Sequence, residues 1–488
     1  MIDSRVPIDV ICHADYSGRI KKTKDCPGLA AFSAAVDSIR DANVAGTVLL
    51  DAGDEFCASY WGGEPVVKAL ELLGTDALTL GNHEFDKGKA FLETCVSAAG
   101  YPILCANIME KDTRSLVRGV RPYVMLRKAG VQIGVLGLTT EYTPYMVERK
   151  AFLPYEVTPS VEACRTFIPQ MRREGAQIII VLTHFPFYVD EGGISGELYE
   201  VLTQSPPADV FIGGHIPGDY AGKVNGTVVL KAGFGGNSLG HARLWFDREQ
   251  NRVVEAECGI LLTNREAKGR PSIQEYEKAV TQPFDAYFHE TLATADEEWP
   301  MRLAEECKLG NFLADCMWEG AGVDIAYMNA TTAGGAICPG PVTVEDITSV
   351  YGFSDNMMTA HITGAQIYEL LELVYAPERF GNNAGLLFSG LIVYVDHTKP
   401  SPHKIQRITL RDGSPVEADA SYTVATSEYM ASGGNDTGKV AQALTWKNTG
   451  VPYLDAIFAY LRRHQKMCIK PEQRLHEIGA PENNNAPF

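Results

Sequence analysis

Apolar runs and amphipathic stretches alternate along the first half of the chain. Val6 to Cys12 is continuously apolar enough for a buried strand, and Leu29 to Arg40 repeats its apolar positions at helical spacing. The same alternation predicts a strand over Gly46–Asp51, a helix over Pro65–Leu73, a strand over Ala77–Leu80, a helix over Lys87–Ala99 and an extended piece over Ile103–Ala106. It continues with a strand over Gln132–Leu138, a helix near Ser160–Glu174, a strand over Gln177–Thr183 and a helix near Gly196–Thr203. Strands follow at Val210–Ile212, Thr227–Lys231 and Ala242–Phe246. Strands alternating with helices predict a layered α/β domain with mixed sheets.

The pattern changes after position 264. Residues 265–300 are polar and charged, with a helical stretch near Ile273–Leu292, and read as a linker helix between domains 1–264 and 301–478. The second domain shows a helix over Ala365–Tyr375, a strand over Leu391–Val395 and glycine-rich loops at 329–340 and 432–436. The tail 479–488 (GAPENNNAPF) is too polar to pack and is expected to be disordered.

Composition narrows the function classes. The chain has 488 residues, enough for two or three domains. Its 43 Lys and Arg against 61 Asp and Glu leave a net charge of −18, which argues against a nucleic-acid polymer as partner. No apolar stretch reaches the roughly 18–20 residues that span a bilayer, so no membrane partner is expected. The 11 Cys include no Cys-x-x-Cys pair, and no secretory signal is evident at the start; both point to reduced thiols and a cytoplasmic location.

The chemistry concentrates at strand ends. Gly81-Asn82-His83-Glu84-Phe85-Asp86 follows the strand Ala77–Leu80 and brings a neutral oxygen, an imidazole and a carboxylate within five positions. Asp15 follows the first strand, Asp54 the second, His184 ends VLTH and His215 ends FIGGH. Five metal-capable side chains at the carboxyl ends of strands are expected to converge on one edge of the sheet. Their oxygen and imidazole donors suit a divalent cation of the Mn, Zn, Fe or Mg kind, one ion or two, rather than a thiolate site.

These motifs resemble the 5′-nucleotidase family of metallophosphoesterases. The resemblance rests on Asp15, Gly53-Asp54, GNHEFD, Thr183-His184 and Gly213-Gly214-His215 in the first domain. In the second it rests on LGNFLAD (309–315), NATTAGGAICPGPVT (329–343), FSGLIVYVD (388–396) and YTVATSEYMASGGND (422–436). It implies an N-terminal four-layer α/β/β/α metallophosphoesterase domain and a C-terminal α/β substrate domain. It also implies hydrolysis of a small-molecule phosphoester by in-line attack of a metal-bound hydroxide. Asp54 would bridge two ions, Asn82, His184 and His215 would complete one of them, and Asp15 would serve the other. His83, oriented by Asp86, would assist the reaction. Asn329, Tyr429 and Asn435 would contribute to substrate binding.

The chain departs from that family's pattern in both domains. Ser17 stands where the family has a His ligand, and Pro217 where it has a Gln or His ligand. Gly334 stands where a phosphate-gripping Arg is expected, and Gly385 where an aromatic would stack on a base. His13, Glu55 and Asp219 lie close enough in sequence to substitute as ligands, Tyr16 to reach a phosphate with its hydroxyl, and Arg379 to reach an anion. A catalytically impaired ligand-binding homologue, or a hydrolase of a non-nucleotide substrate, is the alternative reading.

Overall fold

A computed structural model of the chain describes residues 5–56, 61–147, 149–190, 193–303, 305–353, 355–375, 385–434, 437–467 and 473–479. Arg379, Asn435, Asp436 and residues 480–488 of the expected tail lie outside the described residues. The chain forms two compact units that divide between Pro283 and Phe284.

The first unit is built on two six-stranded sheets. One has the order Arg252–Leu262, Ser238–Asp247, Arg5–His13, Thr47–Asp51, Ala77–Thr79, Ile103–Leu104. The other runs Tyr220–Val224, Thr227–Lys231, Val210–Ile212, Ile178–His184, Val131–Thr139, Tyr123–Lys128. Alternate residues explain how the sheets stack. Ile8, Val10, Cys12, Val48 and Leu50 from one sheet share a fully buried core with Val135, Ile180, Leu182, Ile212 and Leu230 from the other. The opposite face of the second sheet, through Leu136, Ile179, Val181 and Phe211, packs on the helices Ser160–Arg173 and Glu197–Gln204. Helix Leu29–Arg40 buries Leu29, Phe32, Val36 and Ile39 beside the first sheet. Each sheet therefore has a helical cover, giving the four layers α/β/β/α.

The single linker helix expected near Ile273–Leu292 is not one element. A helix spans Pro271–Thr281, a short 3₁₀ turn and the helix Asp285–Phe288 follow, and Thr291–Ala295 is a strand. Pro283 cannot donate a backbone hydrogen bond and interrupts the first helix. Thr291–Ala295 instead pairs with Gly340–Thr343 and Lys466–Met467 inside the second unit.

The second unit carries a five-stranded sheet ordered Leu386–Ser389, Ile325–Asn329, Ser421–Ser427, Asn356–Thr363, Lys447–Pro452. The helix Lys308–Ala321, which contains LGNFLAD, places Asp315 against Arg474 at 2.8 Å and Ser389 at 2.6 Å. No helix among the described residues is long and apolar enough to cross a membrane. None of the described cysteines is in a disulfide.

Candidate active site

The five strand-end residues do gather, but not on the edge of one sheet. Asp15, Asp54 and Asn82 follow strands of the first sheet, whereas His184 and His215 belong to the second. The sheets stack face to face, so their carboxyl ends open at one rim. A one-sheet expectation fails because alternation along a strand cannot tell which of two sheets the strand joins.

Two glycines permit the close approach. A Cβ on Gly81 would lie 2.1 Å from Asp54 Oδ1, and a Cβ on Gly53 would lie 2.5 Å from the Gly81 nitrogen. Asp15, Ser17, Asp54 and His215 all hold positive φ, between 52° and 73°, which side-chain-bearing residues seldom adopt. Such strain persists only where surrounding contacts impose it. Here Glu84 does so. Fully buried, it accepts the backbone N–H groups of Asp54 (2.9 Å), Glu55 (2.6 Å), Phe56 (3.0 Å) and Gly81 (2.6 Å). Sequence reasoning passes over Glu84; an acidic residue inside a strand-end motif is the signal available.

The donor atoms of Asp54, His184 and His215 lie within 4.8 Å of one another. His184 Nδ1 is 2.7 Å from the Ala52 carbonyl, which holds the ring with Nε2 facing Asp54. That Nε2 is 2.9 Å from Asp54 Oδ2; burial alone would depress the imidazole, but the Asp54 charge outweighs it and lifts the ring to about 9. Asn82 does not cap the short helix it precedes; its Oδ1 sits 2.9 Å from His215 Nδ1. Asp54, His184 and His215, with Asn82 beside them, gather oxygen and imidazole donors of a kind that suits a divalent cation.

The other half of the site has fewer donors. Asp15 Oδ2 accepts the His215 N–H at 3.1 Å. Burial lifts the Asp15 carboxyl to about 6 against the pull of His184, and the Asp54 charge adds to the rise. Ser17 Oγ donates to the Asp54 carbonyl at 3.1 Å, and Pro217 offers no side-chain donor. Asp219 is held by Ser238 Oγ at 2.5 Å. Tyr16 does not reach toward a phosphate: it is fully buried, stacked on Phe32 at 5.3 Å, because its apolar ring fills the space under helix Leu29–Arg40. Lys231, also missed by sequence, brings a buried ammonium whose electrostatic neighbours are Asp15 and Asp219; it lies 4.5 Å over the Phe187 ring.

His83 Nδ1 is 2.7 Å from Asp86 Oδ2, and the His83 N–H reaches Asp54 Oδ1 at 2.8 Å. Burial alone would depress this imidazole; the Asp86 and Asp54 charges outweigh it and raise it to about 10. The His83 side chain is 31% exposed.

In the second unit, Asn329 ends the strand Ile325–Asn329 and Tyr429 follows the neighbouring parallel strand Ser421–Ser427. Asn329 Nδ2 donates to Thr331 Oγ1 at 2.8 Å. Gly385 accepts the Ala330 N–H at 3.2 Å beside it. Among the described residues, chain neighbours aside, no atom lies within 4 Å of where a side chain on Gly334 would begin.

Fold and site together define a metallophosphoesterase with a second α/β unit. Residues 12–219 match the calcineurin-like phosphoesterase family, and residues 291–442 match the 5′-nucleotidase C-terminal domain. The chain belongs to the 5′-nucleotidase family of metallophosphoesterases. It is similar to protein UshA of Yersinia enterocolitica, 26% identical with 92% of this chain and 90% of that protein covered. It is likewise 26% identical to a snake venom 5′-nucleotidase of Gloydius brevicauda, over 93% of this chain and 84% of that protein. The venom origin of that relative gives the cytoplasmic expectation no support. In fold it resembles a 5′-nucleotidase precursor of Thermus thermophilus, with a TM-score of 0.83, 22% identity, and 98% and 100% of the two chains covered.

Proposed function

We propose that this chain hydrolyses a phosphoester of a nucleotide or related small molecule with the help of divalent cations. One observation carries the reading: Asp54, Asn82, His184 and His215 converge beside the paired His83 and Asp86. In this reading those four residues hold one ion, and Asp15 with Asp54 contributes to a weaker second. When bound, the ion supplies charge to the phosphoryl oxygens and makes water nucleophilic near neutral pH. His83 engages Asp86 through Nδ1, so Nε2 is the nitrogen that delivers a proton to the leaving oxygen. Asp86 keeps the ring oriented and charged. By resemblance to the family, Asn329, Tyr429 and Asn435 are assigned to substrate binding. The names of the relatives support a nucleotide.

Gly334 and Gly385 favour a second reading, a hydrolase with a non-nucleotide substrate, and Ser17 with Pro217 favours an impaired, ligand-binding homologue. The test is metal analysis plus a panel of phosphomonoesters, cyclic phosphates and nucleotide sugars with added Mn²⁺ or Zn²⁺. Turnover that His83→Ala lowers by about 10²–10³-fold is expected. Less than about half an equivalent of metal, with no His83-dependent turnover, would sink the enzymatic reading.

A further inference from the structure

Behind the rim lies a second cluster of donors. His13 ends the strand Arg5–His13, Asp51 ends Thr47–Asp51, and the two are direct partners in the parallel register. Glu55 comes from the turn that carries Asp54. All three side chains are fully buried. His13 Nε2 is 3.7 Å from Asp51 Oδ2, and His13 Nδ1 is 3.7 Å from Glu55 Oε1. One donor atom from each residue lies within 4.8 Å of the other two.

The contacts around the cluster leave its facing atoms unsatisfied. Asp51 Oδ1 accepts the Gly53 N–H at 3.0 Å, and Glu55 Oε1 accepts the Tyr16 N–H at 3.1 Å. Phe32 packs edge-on to the His13 ring at 5.2 Å. Among the described residues both nitrogens of His13, Asp51 Oδ2 and Glu55 Oε2 have no well-formed hydrogen bond, although the Asp51 and Glu55 carboxyls lie close enough to bond to each other if they share a proton. Burying four such atoms together is costly unless something pairs with them. The contacts of 3.7 Å are too long for hydrogen bonds. Two donors each about 2.1 Å from one ion, by contrast, lie up to about 4.2 Å apart. Two carboxylates and a neutral imidazole also balance a divalent charge.

We propose that His13, Asp51 and Glu55 form a buried binding site for a divalent cation, separate from the set centred on Asp54, His184 and His215. His13 and Asp51 lie on the side of the first sheet that faces helix Leu29–Arg40, and the phosphoester does not contact the ion. It ties together the two turns that carry Asp15 and Asp54. The site thus stands apart from the sparse Asp15–Ser17–Pro217 position.

The full-length protein, stripped with chelator and re-equilibrated with Mn²⁺, tests this by metal stoichiometry and by thermal melting. Glu55→Gln is expected to bind one equivalent fewer than wild type and to lose a Mn²⁺-dependent rise in Tm that wild type shows. His184→Ala is expected to keep the equivalent that Glu55→Gln loses. His13→Asn serves as the second variant should Glu55→Gln fail to fold. Equal stoichiometry and an equal Mn²⁺ response in wild type and Glu55→Gln would overturn the proposal, showing that a shared proton between Asp51 and Glu55 suffices. If His184→Ala alone loses metal, this proposal falls and the proposed function stands; if no variant or wild type binds metal, both fall.

Discussion

The two halves of the rim are built from the same turns yet differ in what they offer a cation. On one side Asp54, Asn82, His184 and His215 present four convergent donors, and the backbone that carries Asp54 is clamped by Glu84. On the other side Asp15 stands with Ser17, whose hydroxyl is spent on a carbonyl, and Pro217, which has none. The fold supports both halves equally well; the left-handed φ at Asp15 and Ser17 is retained beside that at Asp54 and His215. The sparser donor set on one side therefore goes with the same backbone conformation as the fuller set on the other. Scaffold strain and ligand chemistry are separable, because the strain is imposed by sheet-end packing rather than by the donors themselves.

Substitutions should reproduce that asymmetry. Asp54→Ala removes the donor shared by both halves and is expected to lower kcat by about 10³–10⁴-fold, the worth of several kcal/mol of charge stabilisation. Steady-state kinetics with saturating Mn²⁺ checks it; a loss below about tenfold breaks the comparison. His83→Ala should cost about 10²–10³-fold in kcat with metal content unchanged if, as proposed, His83 moves a proton and holds no ion. Glu84→Gln places an NH₂ against backbone donors and should cost about 10–100-fold, with weaker metal binding read by titration. Ser17→Ala should change kcat less than about fivefold, because it removes one hydrogen bond worth about 1 kcal/mol. A larger loss would show that the sparse half does more than its donors indicate.

A pH experiment serves as the remote control. Asp9 is buried on the first strand; burial opposes its ionisation, but hydrogen bonds from His241, Arg243 and Asn43 outweigh it and hold the carboxyl down to about 2. A carboxyl depressed on folding adds stability that is present above its ordinary value near 3.8 and is lost as pH falls through about 2. Asp9→Asn should therefore lower Tm at pH 7 and lose less of its remaining stability than wild type between about pH 4 and pH 2.

Much of the fold is legible where a segment is amphipathic at helical spacing or is a short apolar run. Leu29–Arg40, Val210–Ile212 and Thr227–Lys231 form over the expected residues. The edge strands Tyr123–Lys128, Tyr220–Val224 and Arg252–Leu262 escape such a reading because they are half exposed, with polar residues interleaved among the apolar ones. Within the site, GNHEFD points to the rim, whereas Glu84, Lys231 and the His13–Asp51–Glu55 cluster do not stand out. Their roles come from burial, and an isolated acid or lysine reads as surface until its neighbours are known.

The sequence by itself determined the order of the strand-end residues, the family pattern they follow and the places where Ser17, Pro217, Gly334 and Gly385 depart from it. Those are matters of residue type and spacing. Only the tertiary structure decided that the ligands come from two stacked sheets, that Asn82 turns to His215 instead of capping a helix, and that three ionisable side chains are sealed together behind Asp54. Each of these depends on contacts between residues well separated in the chain, and no local pattern encodes which distant surfaces will exclude water from one another.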